Sequence, residues 1–496
     1  MHEPFLSPRS GAPAVDIDHH PVDELLQIKI EEHDTFSRHL PPELISHIFT
    51  IYTETFNSSF DIKQPSTEHG PLVLGAVSKF WREVAFGTPQ LWNTINIHVC
   101  FPSNNITPKI ELTKQWLDRS GQLPLYLSLR IRTTNIKFES CLLGPLFSLI
   151  RNLALRWYLL ALDISPKLYT TFIDDLTCAP RLHTLKLVDQ KLLRGQFFLA
   201  RTPSLKYLET SLIFFRTSPL NGEPSHISSP IASASMNFLK LFDLAGRLTN
   251  CRLRGINPDL QLYPIPTTPL THSALKQLHL VPTEVYGWQV DDCLDLLVFP
   301  SLEYFRYECT SLSPFLLSSL ISLVHRSQCQ LTHFDLSGEL LEVNANDLFP
   351  FFALPTLTHF KLEDLEDYGD GDEGIMTDKL LQKLTPIEGI RAGLLPCLQS
   401  LKFRGEQRFS WNCFADFIIS RLMVDNSGSS NPITNKMDVG RNLPVYRRNG
   451  NSIRLVSFVA RGFKQDIDLD TRARFNRARD AGVSIEIVDE LLHKAL

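Results

Sequence analysis

Three groups of side chains in this sequence are of types that could do chemistry, and two of them lack the spacing that catalysis requires. Asp18-His19-His20 sets a carboxylate beside two imidazoles, a donor set that a metal-dependent phosphoesterase could use. It follows no strand-like run, so nothing rigid is expected to hold it. Glu363 to Gly374 packs seven carboxylates into twelve residues, and Asp370 and Asp372 bracket a glycine. A calcium loop of the EF-hand type needs oxygen ligands at fixed places and a glutamate at position twelve, and nothing here fits that spacing. The run reads as a solvated acidic loop. Gly-x-Ser-x-Gly, Gly-x-x-x-x-Gly-Lys-Ser/Thr and His-Glu-x-x-His are all missing. The expectation is a chain that is not an enzyme and holds no metal or cofactor.

The third group could bind rather than react. Tyr304 and Arg306, His333 and Asp335, His359 and Lys361, and Lys402 alternate with large apolar residues. Alternation of this kind puts one set of side chains on each face of a strand. Aromatic and Arg side chains concentrate binding energy at interfaces, so Tyr304 and Arg306 lead the candidates for a protein-binding face. His333 and His359 recur at the same place in successive copies of a pattern, which stacking between copies explains better than metal binding.

That pattern is apolar-x-x-apolar-x-apolar. It occurs as Leu182/Leu185/Leu187, Leu205/Leu208, Leu239/Phe242/Leu244, Leu275/Leu278/Leu280 and Leu302/Phe305/Tyr307. It continues as Leu331/Phe334/Leu336, Leu357/Phe360/Leu362 and Leu398/Leu401/Phe403, with a weak last copy at Ile453/Val456/Phe458 and an early one at Trp157/Leu160/Leu162. Pro180, Pro203, Pro300, Pro355 and Pro396 each stand two residues before the first leucine of a copy. A proline there stops a preceding helix and sets an extended start. Between copies lie helical stretches, such as Leu316 to Val324 with its apolar positions on one face, and Leu380-Leu381-x-x-Leu384.

Strand, turn, helix and turn at such intervals resemble a leucine-rich repeat solenoid, in which stacking buries what a single unit cannot. The ninth place, usually Asn or Cys, holds Gln190, Thr283, Thr310, Glu339 or Glu406, so an irregular array is expected.

Ahead of the repeats stands Leu40-Pro41-Pro42-Glu43-Leu44-Ile45-Ser46-His47-Ile48-Phe49. Two prolines suit a first helical turn, and Glu43 suits the positive end of the helix dipole. Leu44, Ile45, Ile48, Phe49 and Tyr52 form one apolar helical stripe. Val73, Leu74, Val77, Phe80, Trp81 and Val84 form a second, so two amphipathic helices are expected. Two such helices cannot bury both stripes against each other, which points to a partner.

Leu40, Pro41, Glu43, Leu44, Ile45, Ile48, Phe49, Trp81, Arg82, Leu91 and Trp92 resemble an F-box position by position, with the polar insert Phe56 to Gly70 as a departure. The expanded F-box families of mushroom-forming fungi are similar. The resemblance implies docking onto the Skp adaptor of a cullin–RING (SCF-type) ubiquitin ligase through Leu40, Pro41, Leu44, Ile45 and Ile48. It makes Phe49, Trp81, Leu91 and Trp92 structural. The chain would be a substrate receptor that positions a client protein for ubiquitin transfer by other subunits. The alternative is an interaction scaffold working outside ubiquitination.

The expected fold class is α/β: an all-α F-box-like segment over 38–97, then an irregular repeat solenoid over 98–496. Residues 1–37 are expected to form a disordered tail with a short helix near Val22 to Ile30. Loops are expected near 216–235, 363–376 and 425–451. The formal charge of −5, from 49 basic and 54 acidic residues, is too mild to imply nucleic acid or an anionic membrane. Nine scattered cysteines without a Cys-x-x-Cys argue against a disulfide framework and a structural zinc site. No apolar run approaches a membrane span, and the first residues do not read as a signal peptide. A cytoplasmic or nuclear protein is expected.

Overall fold

In the computed structural model the described residues are 39–57, 70–101, 106–132, 136–173, 178–187, 202–211, 241–242, 245–256, 268–282, 294–311, 314–339, 343–364, 375–385, 394–424, 446–447, 453–460, 467–489 and 494–495. The Asp18-His19-His20 motif, the stretches 1–37 and 216–235, the acidic run from 365 to 374 and most of 56–70 and 425–451 lie outside them. Two units are distinguished, Met1–Thr94 with Thr113–Leu123, and Ile95–Leu112 with Pro124–Leu496.

In the first unit Pro42 opens helix α1 (Pro42–Asn57), and the Pro41 carbonyl accepts from the Leu44 and Ile45 amides. The second stripe is broken where one helix was expected. Ser78 is extended (φ −152°, ψ 168°) and separates α2 (Pro71–Val77) from α3 (Lys79–Phe86). Its hydroxyl accepts from the Trp81 amide at 3.2 Å. A serine that caps the next helix offers its backbone an alternative to continuing the previous one. A 3-10 turn (Pro89–Trp92) follows.

Ile45, Phe49, Leu74, Ala85, Leu91 and Trp92 are the buried core of this unit, with Leu40, Tyr52, Phe80, Trp81, Val84, Phe86 and Trp116 packed around it. Trp81 lies 4.9 Å from Phe49, centroid to centroid, and the Trp92 indole donates to the Ala85 carbonyl at 2.8 Å. Part of the expected cover comes from the chain itself. Helix α4 (Thr107–Arg119) supplies Trp116 at 4.8 Å from Trp92 and the Arg119 guanidinium 4.1 Å from the Phe86 ring centre.

The second unit is built on one fourteen-stranded sheet, thirteen of whose strands run parallel. Its strands are β1 (Thr94–Cys100), β2 (Leu125–Arg132), β3 (Trp157–Asp163), β4 (Thr184–Leu187), β5 (Tyr207–Ser211), β6 (Asn250–Ile256) and β7 (Gln277–Pro282). They continue as β8 (Tyr304–Ser311), β9 (His333–Glu339), β10 (His359–Asp364), β11 (Ser400–Gly405), β12 (Leu455–Ala460), β13 (Ser484–Asp489) and β14 (Lys494–Ala495). Each strand is bonded to the one before it in this order, and β14 pairs antiparallel with β13. Crossovers contain helices α5 (Ile136–Arg151), α6 (Pro166–Ile173), α7 (Pro314–Ser327), α8 (Ala345–Phe352), α9 (Asp378–Leu384), α10 (Trp411–Ser420) and α11 (Leu469–Asp480). The two stretches read as helical from their apolar spacing are α7 and α9.

The copies of the apolar pattern stand in register. Leu160, Leu185, Leu208, Cys251, Leu278, Phe305, Phe334, Phe360, Leu401, Val456 and Ile485 form one continuous buried row across β3 to β13. One expected copy is misplaced. Leu241 and Phe242 are helical, and the strand begins at Asn250, so the true copy is Leu248/Cys251/Leu253. A buried cysteine packs as a small hydrophobe. The recurring prolines also have a sharper role than stopping helices. The amides of Leu182, Leu205, Leu302, Leu357 and Leu398 each donate to the carbonyl three residues back, which puts the proline second in a tight turn. Its fixed φ suits that place.

Candidate interaction surfaces

Two surfaces are unusual enough to bind something. On α1 the residues Leu44, Ile48 and Ile51 are 50%, 52% and 51% exposed. Steps of four and three put them on one face of the helix. On α2, Leu72, Val73 and Val77 are also exposed. Large apolar side chains grouped in this way carry more information than scattered ones. The other motif residues are divided. Ile45 and Phe49 are buried in the core of the unit with Leu91 and Trp92. Leu40 and Trp81 pack against that core, and Pro41 is exposed. Ile45 therefore does not share the open face of Leu44 and Ile48. Ile51 was not singled out by the sequence, although it continues the spacing from those two.

The other surface is the polar face of the sheet. In register across it run Lys186, Glu209, Arg252, His279, Arg306, Asp335, Lys361, Lys402, Ser457 and Glu486. Much of this face is tied down by its own charges. Glu209 meets Arg252 at 3.4 Å and Arg254 at 3.3 Å, Asp163 meets Arg130 and Arg132 at 3.0 Å each, and Arg306 pairs with Glu308. His279 Nε2 lies 3.2 Å from Glu308 but off the line of a hydrogen bond. His279 and the Arg306 guanidinium hold the Glu308 carboxyl down to about 2. Tyr304 donates to Asp335 at 2.6 Å; burial, helped by that carboxylate, pushes its phenol up to about 12. Tyr304 and Arg306 are thus members of a fixed network, and Arg252, Arg254 and Glu308 belong to it without having been singled out from the sequence.

His333 and His359 stack face to face with centroids 4.0 Å apart and planes 9° from parallel. Parallel rings aim their outer nitrogens side by side, whereas a shared metal needs ligands that converge. Among the described residues no group of three or more His, Cys, Asp and Glu could hold a metal ion. No helix among them is long and apolar enough to cross a membrane. Burial pushes the Cys251 and Cys329 thiols up, away from the thiolate range that reactivity needs. No family model matches the chain, and no curated protein matches it.

Proposed function

We propose that the chain is the substrate-recognition subunit of an SCF-type cullin–RING ubiquitin ligase, with an F-box-like first unit that docks the Skp adaptor. The observation that carries this reading is the division of labour within one motif. Ile45, Phe49, Leu91 and Trp92 fill a core, while Leu44, Ile48 and Ile51 remain open on the same helix. A helix that only packs internally has no use for three half-exposed aliphatics in a row. The sequential parallel strands with crossover helices support reading the second unit as an irregular leucine-rich-repeat solenoid whose polar sheet face holds a client. The chain then contributes position rather than chemistry, raising the local concentration of client near the transferring subunits.

Co-purification with the Skp adaptor tests this, for wild type and for Leu44→Glu/Ile48→Glu. Both positions are exposed, so the circular dichroism of the variant should match wild type. A stable complex that the variant loses supports the proposal. If wild type forms no complex, the adaptor role is refuted and an interaction scaffold outside ubiquitination becomes the better account.

A further inference from the structure

The charged row on the sheet face follows a rule and breaks it once. Lys186 neighbours Glu209, Glu209 neighbours Arg252, Arg306 neighbours Asp335, and Asp335 neighbours Lys361. His279, between Arg252 and Arg306, is pushed toward the neutral form by burial. Then Lys361 on β10 is paired in register with Lys402 on β11. This is the one like-charged register pair among the described strand residues. Like charges directly opposite on adjacent strands, roughly 5 Å apart, destabilise a sheet. Lys361 is partly compensated by Glu363 at 2.8 Å. Lys402 is exposed and makes no ion pair among the described residues.

Two further basic residues stand nearby. Arg404 lies two residues beyond Lys402 on the same strand face, beside Glu363 in register, and Arg454 immediately precedes β12. Both Lys402 and Arg454 bear on His359 and help to lower its pKa, after burial and the neighbouring His333. Among the described residues of this face, the carboxylates in register with the group are Glu363 on β10, Asp335 on β9 and Glu486 on β13. Between the long cationic side chains lie two short ones, Ser400 and Ser457, beside His359 and Lys402 respectively. They leave a low floor with hydroxyl donors. A local rule broken, and only partly compensated among the described residues, is the kind of departure that proteins keep at functional places.

We propose that the face of β10, β11 and β12 is a docking site for an acidic peptide segment of a client protein, with Lys361 and Lys402 as its anchors. A client carboxylate set between these two ammonium groups supplies the missing negative charge and restores the alternation seen on the earlier strands. The client identity rests on reading the chain as a substrate receptor, but the acidic preference of this face does not depend on adaptor docking.

The test uses the full-length chain, a fluorescein-labelled ten-residue poly-glutamate peptide and a labelled ten-residue oligothymidylate, read by fluorescence anisotropy at 0.15 M salt. The expected result is saturable peptide binding that weakens with salt and falls about tenfold or more in Lys361→Glu/Lys402→Glu. Lys402→Glu alone should also weaken binding while raising the thermal midpoint, because it turns a like-charged pair into an opposite one. A purely structural role for Lys402 predicts a lower midpoint. Absence of saturable peptide binding, equal binding by the reversed variant, or binding of the oligonucleotide in preference to the peptide would each overturn the proposal. Adaptor co-purification of Lys402→Glu, run in parallel, keeps the two readings separable. If the adaptor is not bound but the peptide is, the receptor reading fails and this one stands.

Discussion

His333 and His359 share a stacked arrangement in which each ring is held by the threonine before it. The Thr332 hydroxyl donates to the Glu303 carbonyl and sits 2.9 Å from His333 Nδ1. The Thr358 hydroxyl donates to the Thr332 carbonyl and sits 2.8 Å from His359 Nδ1. A hydroxyl has one proton to give, and where it goes to the carbonyl the threonine oxygen is left to accept from a histidine Nδ1–H.

Two neutral stacked imidazoles make the fold sensitive to pH. Burial, the largest cause, lowers both histidines below the ordinary value of 6.5; Asp335 and Glu303 oppose it at His333, while His333, Arg454 and Lys402 add to it at His359. The unfolded chain therefore takes up protons at a higher pH than the folded one. Stability from this source is complete above about 6.5 and is lost as pH falls below it. Urea midpoints measured from pH 8 to pH 5 should decline, and His359→Gln should flatten the decline. An unchanged slope in that variant would show that other groups carry the effect.

Ile45 and Ile48 should separate stability from docking. Ile45 is buried and Ile48 is half exposed, only three residues apart. Ile45→Ala leaves a cavity and should cost about 2–5 kcal/mol of stability. Ile48→Ala should shift stability by no more than about 0.5 kcal/mol. If Ile48 is a docking hot spot, its loss should weaken adaptor binding by about 2 kcal/mol or more. Denaturation and titration on the same two variants check both halves. Equal binding by Ile48→Ala and wild type would remove it from the docking face.

Arg421 should behave as a structural clamp. At the end of α10 its guanidinium donates to the carbonyls of Leu395 at 2.7 Å, Leu384 at 2.7 Å and Leu394 at 3.0 Å. Burial pushes it down to about 10, so it stays charged at neutral pH. Leu384 ends α9, where a cation also meets the negative end of the helix dipole. Leu395 holds a positive φ of 54°, an unusual conformation that the clamp helps to fix. Arg421→Met keeps most of the volume but strands three carbonyls, and should cost about 3 kcal/mol or more. Lysine should rescue only part of that loss, because it lacks the planar fork.

The strands were legible because their apolar alternation is a local signal. Leu302/Phe305/Tyr307 and its relatives name their own buried face. Leu248/Cys251/Leu253 is hard to see in the sequence because its middle place holds a cysteine where the other copies hold a large apolar residue, and Phe242 nearby offers a more apolar candidate. The break at Ser78 was hidden because one apolar spacing runs through both α2 and α3. Arg421 and Arg326 could not be found, since each reaches carbonyls about thirty residues away in sequence, at 26 to 37 positions for Arg421 and 29 to 32 for Arg326. The candidate face was visible as a set of polar residues. Its charge order was not, because register between strands decides which charges become neighbours.

Phe334 should show how far damage travels through the sheet. Its ring stacks on Phe351 of α8 at 4.4 Å and lies 6.0 Å from both Phe305 and Phe360 on the flanking strands. Phe334→Ala removes a fully buried ring, and should cost about 3–5 kcal/mol. Within the sheet β9 is hydrogen-bonded only to β8 and β10, so lost packing has two direct neighbours to act on. Hydrogen exchange should therefore quicken over Tyr304–Ser311, His333–Glu339 and His359–Asp364 well before it does over Trp157–Asp163. The amides of Pro42–Asn57, in the other unit, should keep their protection. Equal loss of protection from one end of the chain to the other would mean that the sheet opens as a single cooperative block, and the neighbour-by-neighbour account of its stability would have to be given up.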